Sequence, residues 1–149
     1  MGTGTGSPVG EINPTEAWRI LGTDQSARLI DVRTRAEWVF VGVPDIGELA
    51  QEPLFIEWAR FPEMSPNPAF AAEVEGAVGV DSRGPLLFIC RSGARSMQAA
   101  NTVVGHYARK GVSMTCLNVA EGFEGDLDAS GHRGDHNGWK ARGLAWRQS

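Results

Sequence analysis

The apolar segment Leu86-Leu87-Phe88-Ile89 is followed at once by Cys90-Arg91-Ser92-Gly93-Ala94-Arg95-Ser96. Four consecutive apolar residues are typical of a strand that is buried on both faces of a parallel sheet. The residues after the loop have the spacing of a helix, with apolar side chains at Met97, Ala100, Val104 and Ala108. The sequence therefore predicts a buried strand, a tight loop that carries a cysteine, and a helix.

Further helical segments are predicted upstream of this unit. The first has Asn13 as its N-cap and Pro14 at the first helical position, and it ends at Gly22. A charged turn or short helix is expected over Thr34–Trp38. Another helix is predicted to begin at Asn67 by the same capping logic and to continue to Val78.

Further strands are predicted from short apolar runs. They cover Leu29–Val32, a segment near Leu54–Trp58 within the proline-rich region 44–68, and Ser113–Val119. Because these strands alternate with helices, we expect an open, mostly parallel α/β sheet with helices on both faces. Ligands of such sheets bind outside the carboxyl ends of the strands, and Cys90 follows one of those ends.

The length and composition of the chain indicate one domain. We expect residues 1–11 of the 149-residue chain to be a flexible tail, because they are rich in Gly, Thr and Ser, and residues 12–149 to form the domain. The formal charge of -4 gives no indication of nucleic-acid binding. No apolar stretch approaches the roughly 20 residues that cross a bilayer. A cytoplasmic protein without nucleic-acid or membrane partners is therefore expected.

The chain contains two cysteines, Cys90 and Cys116, which form no Cys-x-x-Cys motif and are too few for a disulfide framework. Cys116 lies in an apolar strand and is expected to be buried as packing. Cys90 differs, because it stands between a strand and a helix N-terminus, where unpaired N–H groups and the helix dipole favour an anion. We therefore expect Cys90 to be a reactive thiolate at neutral pH.

The loop after Cys90 has the composition of an anion-binding site. Its small residues let the chain curl tightly, so that backbone N–H groups converge on the sulfur. Its two arginines add positive charge, and each guanidinium offers a planar fork that suits an oxyanion. The candidate site therefore consists of the nucleophile Cys90 and the substrate-binding residues Arg91, Ser92, Gly93, Ala94 and Arg95.

The segment Cys90–Ser96 resembles the active-site loop of the rhodanese family. Leu29–Arg33 resembles that family's Asp-Val-Arg strand, Leu117–Phe123 resembles its closing strand and glycine turn, and the match spans roughly Ile12–Trp146. The resemblance implies a rhodanese-like fold and a sulfurtransferase. In this interpretation Cys90 takes sulfane sulfur from thiosulfate, or from a protein or small-molecule persulfide, and passes it to a thiophilic acceptor.

The same resemblance implies roles for the rest of the loop. The loop amides would stabilise the Cys90 persulfide, and Arg91 and Arg95 would contact an anionic donor. The resemblance implies no cofactor and no metal ion. It is compatible with a protein as sulfur donor or sulfur acceptor. The chain departs from the family at Gly42-Val43-Pro44-Asp45, where many members have Gly-His-Ile-Pro-Gly-Ala.

Two other functions stay open. Cysteine phosphatases and arsenate reductases also present a thiolate and an arginine, but phosphatases use Cys-x5-Arg, whereas four residues separate Cys90 from Arg95 here. The shorter loop makes a tighter nest, which suits one sulfur atom better than a phosphate. A non-enzymatic binding module of the same fold is the second alternative, and the intact Cys90 and both arginines weigh against it.

Asp31 is expected to be structural, anchoring neighbouring backbone or Arg33.

Overall fold

A computed structural model describes residues 9–148 of the chain. The helices are α1 (Pro14–Thr23), α2 (Arg35–Phe40), α3 (Phe70–Val78) and α4 (Ala94–Ala108), with a 3-10 turn at Gly47–Leu49. The strands are β1 (Gly10–Ile12), β2 (Arg28–Asp31), β3 (Val43–Pro44), β4 (Leu54–Phe55), β5 (Ala59–Arg60), β6 (Ser65–Pro66), β7 (Leu86–Ile89), β8 (Cys116–Val119) and β9 (Trp146–Arg147).

Five of these strands form one parallel sheet in the order β1-β8-β7-β2-β4. The central strand β7 is buried on both faces. Leu86 and Phe88 pack with α3 and α4 on one face, whereas Leu87 and Ile89 pack with α1 on the other. The predicted open parallel sheet with helices on both faces is confirmed. The loop that carries Cys90 leaves the carboxyl end of β7, in the middle of the sheet.

The start of α1 has the predicted form. The Asn13 side chain accepts a hydrogen bond from the backbone N–H of Glu16, and the Glu16 carboxylate accepts one from the backbone N–H of Asn13, each at 2.8 Å. This reciprocal pair satisfies two N–H groups that the first helical turn leaves free. The helix ends at Thr23, one residue beyond the predicted Gly22.

The expected boundary of the flexible tail was wrong at its inner end. Residues 1–8 of the predicted tail lie outside the described residues. Val9 is buried, and Gly10 and Glu11 belong to β1, which pairs with Leu117 and Asn118 of β8. Backbone hydrogen bonds to the edge of the sheet order this segment, although its side chains have little apolar surface to bury.

The start of α3 also differs from the prediction. The Asn67 side chain accepts a hydrogen bond from the backbone N–H of Ala69 and donates one to the carbonyl of Glu57. The helix itself begins at Phe70 without a side-chain cap. Asn67 therefore holds the chain between β6 and the helix, and the cap was predicted two residues too early, because the N-cap residue is Ala69.

The core-facing side of α4 is displaced from the predicted one. Met97 and Val104 are half-buried, Ala108 is exposed, and only Ala100 of the predicted set is fully buried. The buried residues of the helix are Ser96, Ala99, Ala100, Val103 and Tyr107. The helical spacing was correct but its phase was not, because small residues that bring the helix close to the sheet were not counted as core.

The proline-rich region contains more structure than its sequence predicted. The strand expected near Leu54–Trp58 is shorter, since β4 ends at Phe55. The strands β5 and β6 form an antiparallel hairpin, and β3 pairs with β9. Strands of two residues are too short to produce a periodic pattern. Similarly, β8 begins at Cys116 and not at Ser113.

Among the helices of residues 9–148, none has the length and apolar character needed to cross a membrane.

Candidate active site

The Cys90 loop, residues 90–96, encloses the sulfur of Cys90. The Sγ atom lies 3.1 Å from the backbone N–H of Gly93 and 3.1 Å from the hydroxyl of Ser96, and the cysteine is only 1% exposed. Gly93 has a φ of 114°, a backbone conformation that favours glycine. This turn directs the Gly93 N–H at the sulfur just before α4 begins. The geometry is that of a site that stabilises negative charge on sulfur.

The hydroxyl of Ser96 is shared between the sulfur and a buried polar network. It lies 2.6 Å from Oδ1 of Asn118 as well as 3.1 Å from Sγ of Cys90. The Asn118 amide nitrogen donates to the carboxylate of Glu11 and to the carbonyl of Gly93, which leaves Oδ1 facing Ser96. The carbonyl of Gly93, at 3.2 Å, is a third acceptor within reach, and because a hydroxyl has one hydrogen, Ser96 donates to only one of these three groups at a time. The network therefore links β1 and β8 to the sulfur.

The segment after β8 forms the second wall of the Cys90 loop. The backbone N–H of Phe123 donates to the carbonyl of Cys90, and those of Glu124 and Gly125 donate to the carbonyl of Arg91. This approach requires a glycine at position 122, because a Cβ there would lie 2.5 Å from the carbonyl of Arg91. Gly122 also has a φ of 68°. The loop is thus held from outside by a glycine turn.

The two loop arginines have different environments. Arg91 is exposed, and no carboxylate among residues 9–148 forms an ion pair with it. Arg95 is about four-fifths buried and forms two hydrogen bonds to Glu37, at 2.8 and 2.9 Å. Burial opposes ionisation of Glu37, but hydrogen bonds from Arg95 and Thr34 outweigh it and lower the pKa of the carboxyl to about 2. Both members of the Glu37–Arg95 pair are therefore charged at neutral pH.

Asp31 lies next to the site and is structural, as its sequence context indicated. Its carboxylate binds the guanidinium of Arg33 through contacts of 2.7 to 3.2 Å, and both side chains are fully buried. Arg33 also donates to the carbonyl of Gly42 and lies 4.3 Å above the ring of Phe123. The pair thus joins β2 to the segment that holds the Cys90 loop.

Cys116 is buried in β8 and forms no disulfide. Burial raises the pKa of its thiol to about 12, so that it is a neutral thiol at physiological pH. Such a thiol is a poor nucleophile. Of the two cysteines, only Cys90 combines a strand-end position with hydrogen-bond donors aimed at its sulfur.

The six predicted site residues are contiguous: Cys90–Gly93 form the turn after β7, and Ala94 and Arg95 are the first two residues of α4. Sequence reasoning missed the residues that support this turn from a distance: Glu11, Glu37, Ser96, Asn118 and Gly122. Gly122 carried a signal in its glycine turn, and Ser96 is the last residue of the quoted motif, where it was given no role. The pairing of Arg95 with Glu37 had no local signal, because 58 positions separate the two residues. Within residues 9–148, no group of three or more His, Cys, Asp or Glu side chains is arranged to hold a metal ion.

Known proteins and solved structures resemble this chain over almost its whole length. No protein-family model matches the chain. It is 32% identical over 141 residues to an uncharacterized protein, the RP600 homolog of Rickettsia rickettsii, which covers 93% of this chain and 98% of that protein. The crystal structure of Rv0390 from M. tuberculosis has a TM-score of 0.80 and 43% identity, and covers 95% of this chain and 98% of that one. The chain belongs to their family.

Two more distant structures show the fold that the family shares. The polysulfide-sulfur transferase homodimer from Wolinella succinogenes has a TM-score of 0.56 at 19% identity, covering 95% of this chain and 80% of that one. A rhodanese-like domain protein from Staphylococcus aureus has a TM-score of 0.50 at 15% identity, covering 95% and 99%. The family therefore has a rhodanese-like α/β fold. At these identities the likeness concerns the fold alone.

Proposed function

We propose that the chain is a sulfurtransferase that carries sulfane sulfur as a persulfide on Cys90. The observation that carries the proposal is the position of the Cys90 sulfur, which faces the N–H of Gly93 and the hydroxyl of Ser96 at 3.1 Å each. Donors arranged in this way stabilise a thiolate at Sγ, which is the nucleophile of the proposed transfer. The rhodanese-like fold supports the same conclusion at the level of architecture.

The reaction is a double displacement on Cys90. The thiolate attacks the outer sulfur of thiosulfate, the S–S bond of the donor breaks, and sulfite leaves with the bonding electron pair. Cys90 then bears one additional sulfur. A thiophilic acceptor such as cyanide attacks that sulfur, forms thiocyanate and restores the thiolate. No net oxidant or reductant is required.

The residues around the sulfur divide the remaining work. The backbone of Ser92, Gly93 and Ala94 shapes the turn around the persulfide. Arg91 is exposed and has no carboxylate partner within residues 9–148, so that it is the cation that an incoming dianion meets first. Arg95 lies deeper and shares its charge with Glu37. We assign Arg91 and Arg95 as donor contacts, with Arg95 available to the donor only in competition with Glu37.

A phosphatase is the less favoured function. The short spacing between Cys90 and Arg95 and the pairing of Arg95 with Glu37 both work against a phosphate, which needs a free guanidinium facing its oxygens. A binding module without activity is less favoured as well, because a purely structural turn has no need of donors directed at a cysteine sulfur.

Intact mass spectrometry tests the proposal. The protein is incubated with thiosulfate, separated by gel filtration and weighed, and we expect the mass to rise by one sulfur atom. Cyanide should then remove this increment. Cys90→Ser should abolish uptake, because a serine forms no persulfide, whereas Cys116→Ser should retain it. An unchanged wild-type mass with Cys90-dependent hydrolysis of an aryl phosphate would establish the phosphatase, and an unchanged mass with neither activity would favour the binding module.

A further inference from the structure

A cleft of about 580 Å³ opens beside the Cys90 loop. Its walls come from four separate parts of the chain: the loop itself, α2, the turn between β5 and β6, and the segment after β8. The residues that matter for its chemistry are Phe40, Phe61, Met64, Arg91, Arg95 and Arg133. The cleft is therefore part apolar and part cationic.

The apolar part of the cleft is exposed to an unusual degree. Phe40 is 79% exposed, Phe61 is 64% exposed and Met64 is 39% exposed, and the neighbouring Val39 is 47% exposed. Two of these residues lie on α2 and two on the β5–β6 turn, so that distant segments present one apolar surface. Contiguous exposed apolar surface of this kind marks a binding site more often than a chance feature.

The charges in the cleft favour an anion. Arg95 is paired with Glu37, which leaves Arg91, Arg133 and Glu124 as the charges not held in that pair. Neither Arg91 nor Arg133 forms an ion pair with a carboxylate in the described part of the chain. Arg133 is oriented instead by a 2.7 Å hydrogen bond to the carbonyl of Gly125. The charges of the two arginines and of Glu124 sum to one net positive charge, which lies beside Phe40 and Phe61.

We propose that this cleft binds the organic body of the sulfur donor, and that the preferred donor is an anion with an aromatic or similarly apolar body. The proposal rests on the sulfurtransferase function proposed above and specifies its substrate class. Thiosulfate is far smaller than the cleft and has no apolar surface to place against Phe40 or Phe61. Volumes of several hundred Å³ with apolar walls and a few charged groups are typical of sites for organic ligands.

The transfer from such a donor balances in the same way as from thiosulfate. With an organic thiosulfonate, the Cys90 thiolate attacks the outer sulfur and the bond between that sulfur and the sulfonyl sulfur breaks. The organic sulfinate leaves with the electron pair, and Cys90 retains the sulfur as a persulfide. The aromatic body stays outside the Cys90 loop throughout, in contact with the cleft.

Benzenethiosulfonate and methanethiosulfonate form a matched pair of probes, because both are monoanions that donate the same sulfur and differ in their apolar body. The measurement is the ratio of their kcat/KM values with cyanide as acceptor. Comparing this ratio between variants cancels the different intrinsic reactivity of the two donors. We expect the ratio of benzenethiosulfonate to methanethiosulfonate to fall about tenfold in the double variant Phe40→Ser, Phe61→Ser, because the phenyl ring of the donor loses its apolar contacts.

Val80→Ser is the matched control. Val80 is an exposed apolar residue, 37% accessible, that lies before the amino end of β7, whereas Cys90 follows the carboxyl end of that strand. Its ratio should equal that of the wild type. A ratio that is the same in all three proteins, or that falls equally in Val80→Ser, overturns the inference. If both donors and thiosulfate load Cys90 in such a result, the sulfurtransferase function still stands. If none of the three donors raises the mass, that function fails and the inference fails with it.

Discussion

The guanidinium of Arg95 and the carboxylate of Glu37 are joined by two hydrogen bonds, of 2.8 and 2.9 Å, across 58 positions of the chain. Arg95 belongs to the Cys90 loop and Glu37 belongs to α2, so that the pair ties the proposed catalytic turn to a neighbouring helix. Glu37 also caps α2 through the backbone N–H of Thr34. One carboxylate thus serves the fold and restrains the charge of the site.

Glu37→Gln should destabilise the protein at neutral pH and lose its effect in acid. Because the pKa of Glu37 is lowered from its ordinary value of 4.5 to about 2, its charge stabilises the folded state above pH 4.5. This contribution fades as the pH falls from 4.5 to about 2. We expect the variant to be less stable by about 2 kcal/mol at pH 7, with glutamine keeping the cap. Urea unfolding at several pH values measures the difference, and a difference that does not depend on pH would contradict the assignment.

The same substitution should have the opposite effect on sulfur uptake. Neutralising Glu37 leaves the charge of Arg95 free to attract a donor, so that Glu37→Gln should load from thiosulfate roughly threefold faster. Arg95→Ala should load about tenfold more slowly than the wild type, and about thirtyfold more slowly when it is made in Glu37→Gln, because the gain from Glu37→Gln requires Arg95. Stopped-flow or quenched loading followed by mass spectrometry gives these rates. If Glu37→Gln loads more slowly than the wild type, Glu37 and not Arg95 is the group that the donor requires.

Gly122→Ala should disturb the Cys90 loop far more than an ordinary glycine substitution does. The added Cβ would lie 2.5 Å from the carbonyl of Arg91, whereas a Cβ at Gly111 meets nothing within 4 Å. Both glycines have positive φ, of 68° and 75°, so that Gly111→Ala is a control for backbone strain alone. We expect a loss of about 1 kcal/mol for Gly111→Ala and at least twice that for Gly122→Ala, together with loss of sulfur uptake. Equal losses in thermal unfolding would show that the approach of the two segments is not needed.

The parts of the fold that the sequence predicts are those whose signal is local. The run Leu86–Ile89 is continuous and apolar, and Asn13 is followed by Pro14 and Glu16, so that strand and cap are legible within a few residues. The order of β1 has no such signal, because it comes from pairing with β8 more than 100 residues later.

The candidate site likewise consists of residues with a local sequence signal and residues without one. The site residues 90–95 are adjacent in sequence and form a recognisable pattern, whereas the residues that support them come from other elements. Glu37 and Arg95 are polar residues of ordinary surface type until the fold brings them together. The contact between Asn118 and Glu11 joins residues 107 positions apart. Side-chain pairs of this kind depend on the topology of the sheet, which local patterns do not encode.

The hydroxyl of Ser96 is the one side-chain donor at the Cys90 sulfur in the described residues. Ser96→Ala removes a hydrogen bond to a group that is anionic in the reaction, which should slow loading about tenfold while the helix keeps its form, since alanine is a strong helix former. Ser113→Ala deletes a hydroxyl on an exposed residue before β8 and should not change the rate. Asn118 Oδ1 lies 2.6 Å from the Ser96 hydroxyl and competes with the Cys90 sulfur for its hydrogen. Asn118→Ala in the wild type should therefore alter the pH dependence of loading. The same substitution should have no such effect in Ser96→Ala. Loading rates of the single and double variants across pH give the coupling. Independent effects of the two substitutions would mean that Asn118 does not act through Ser96.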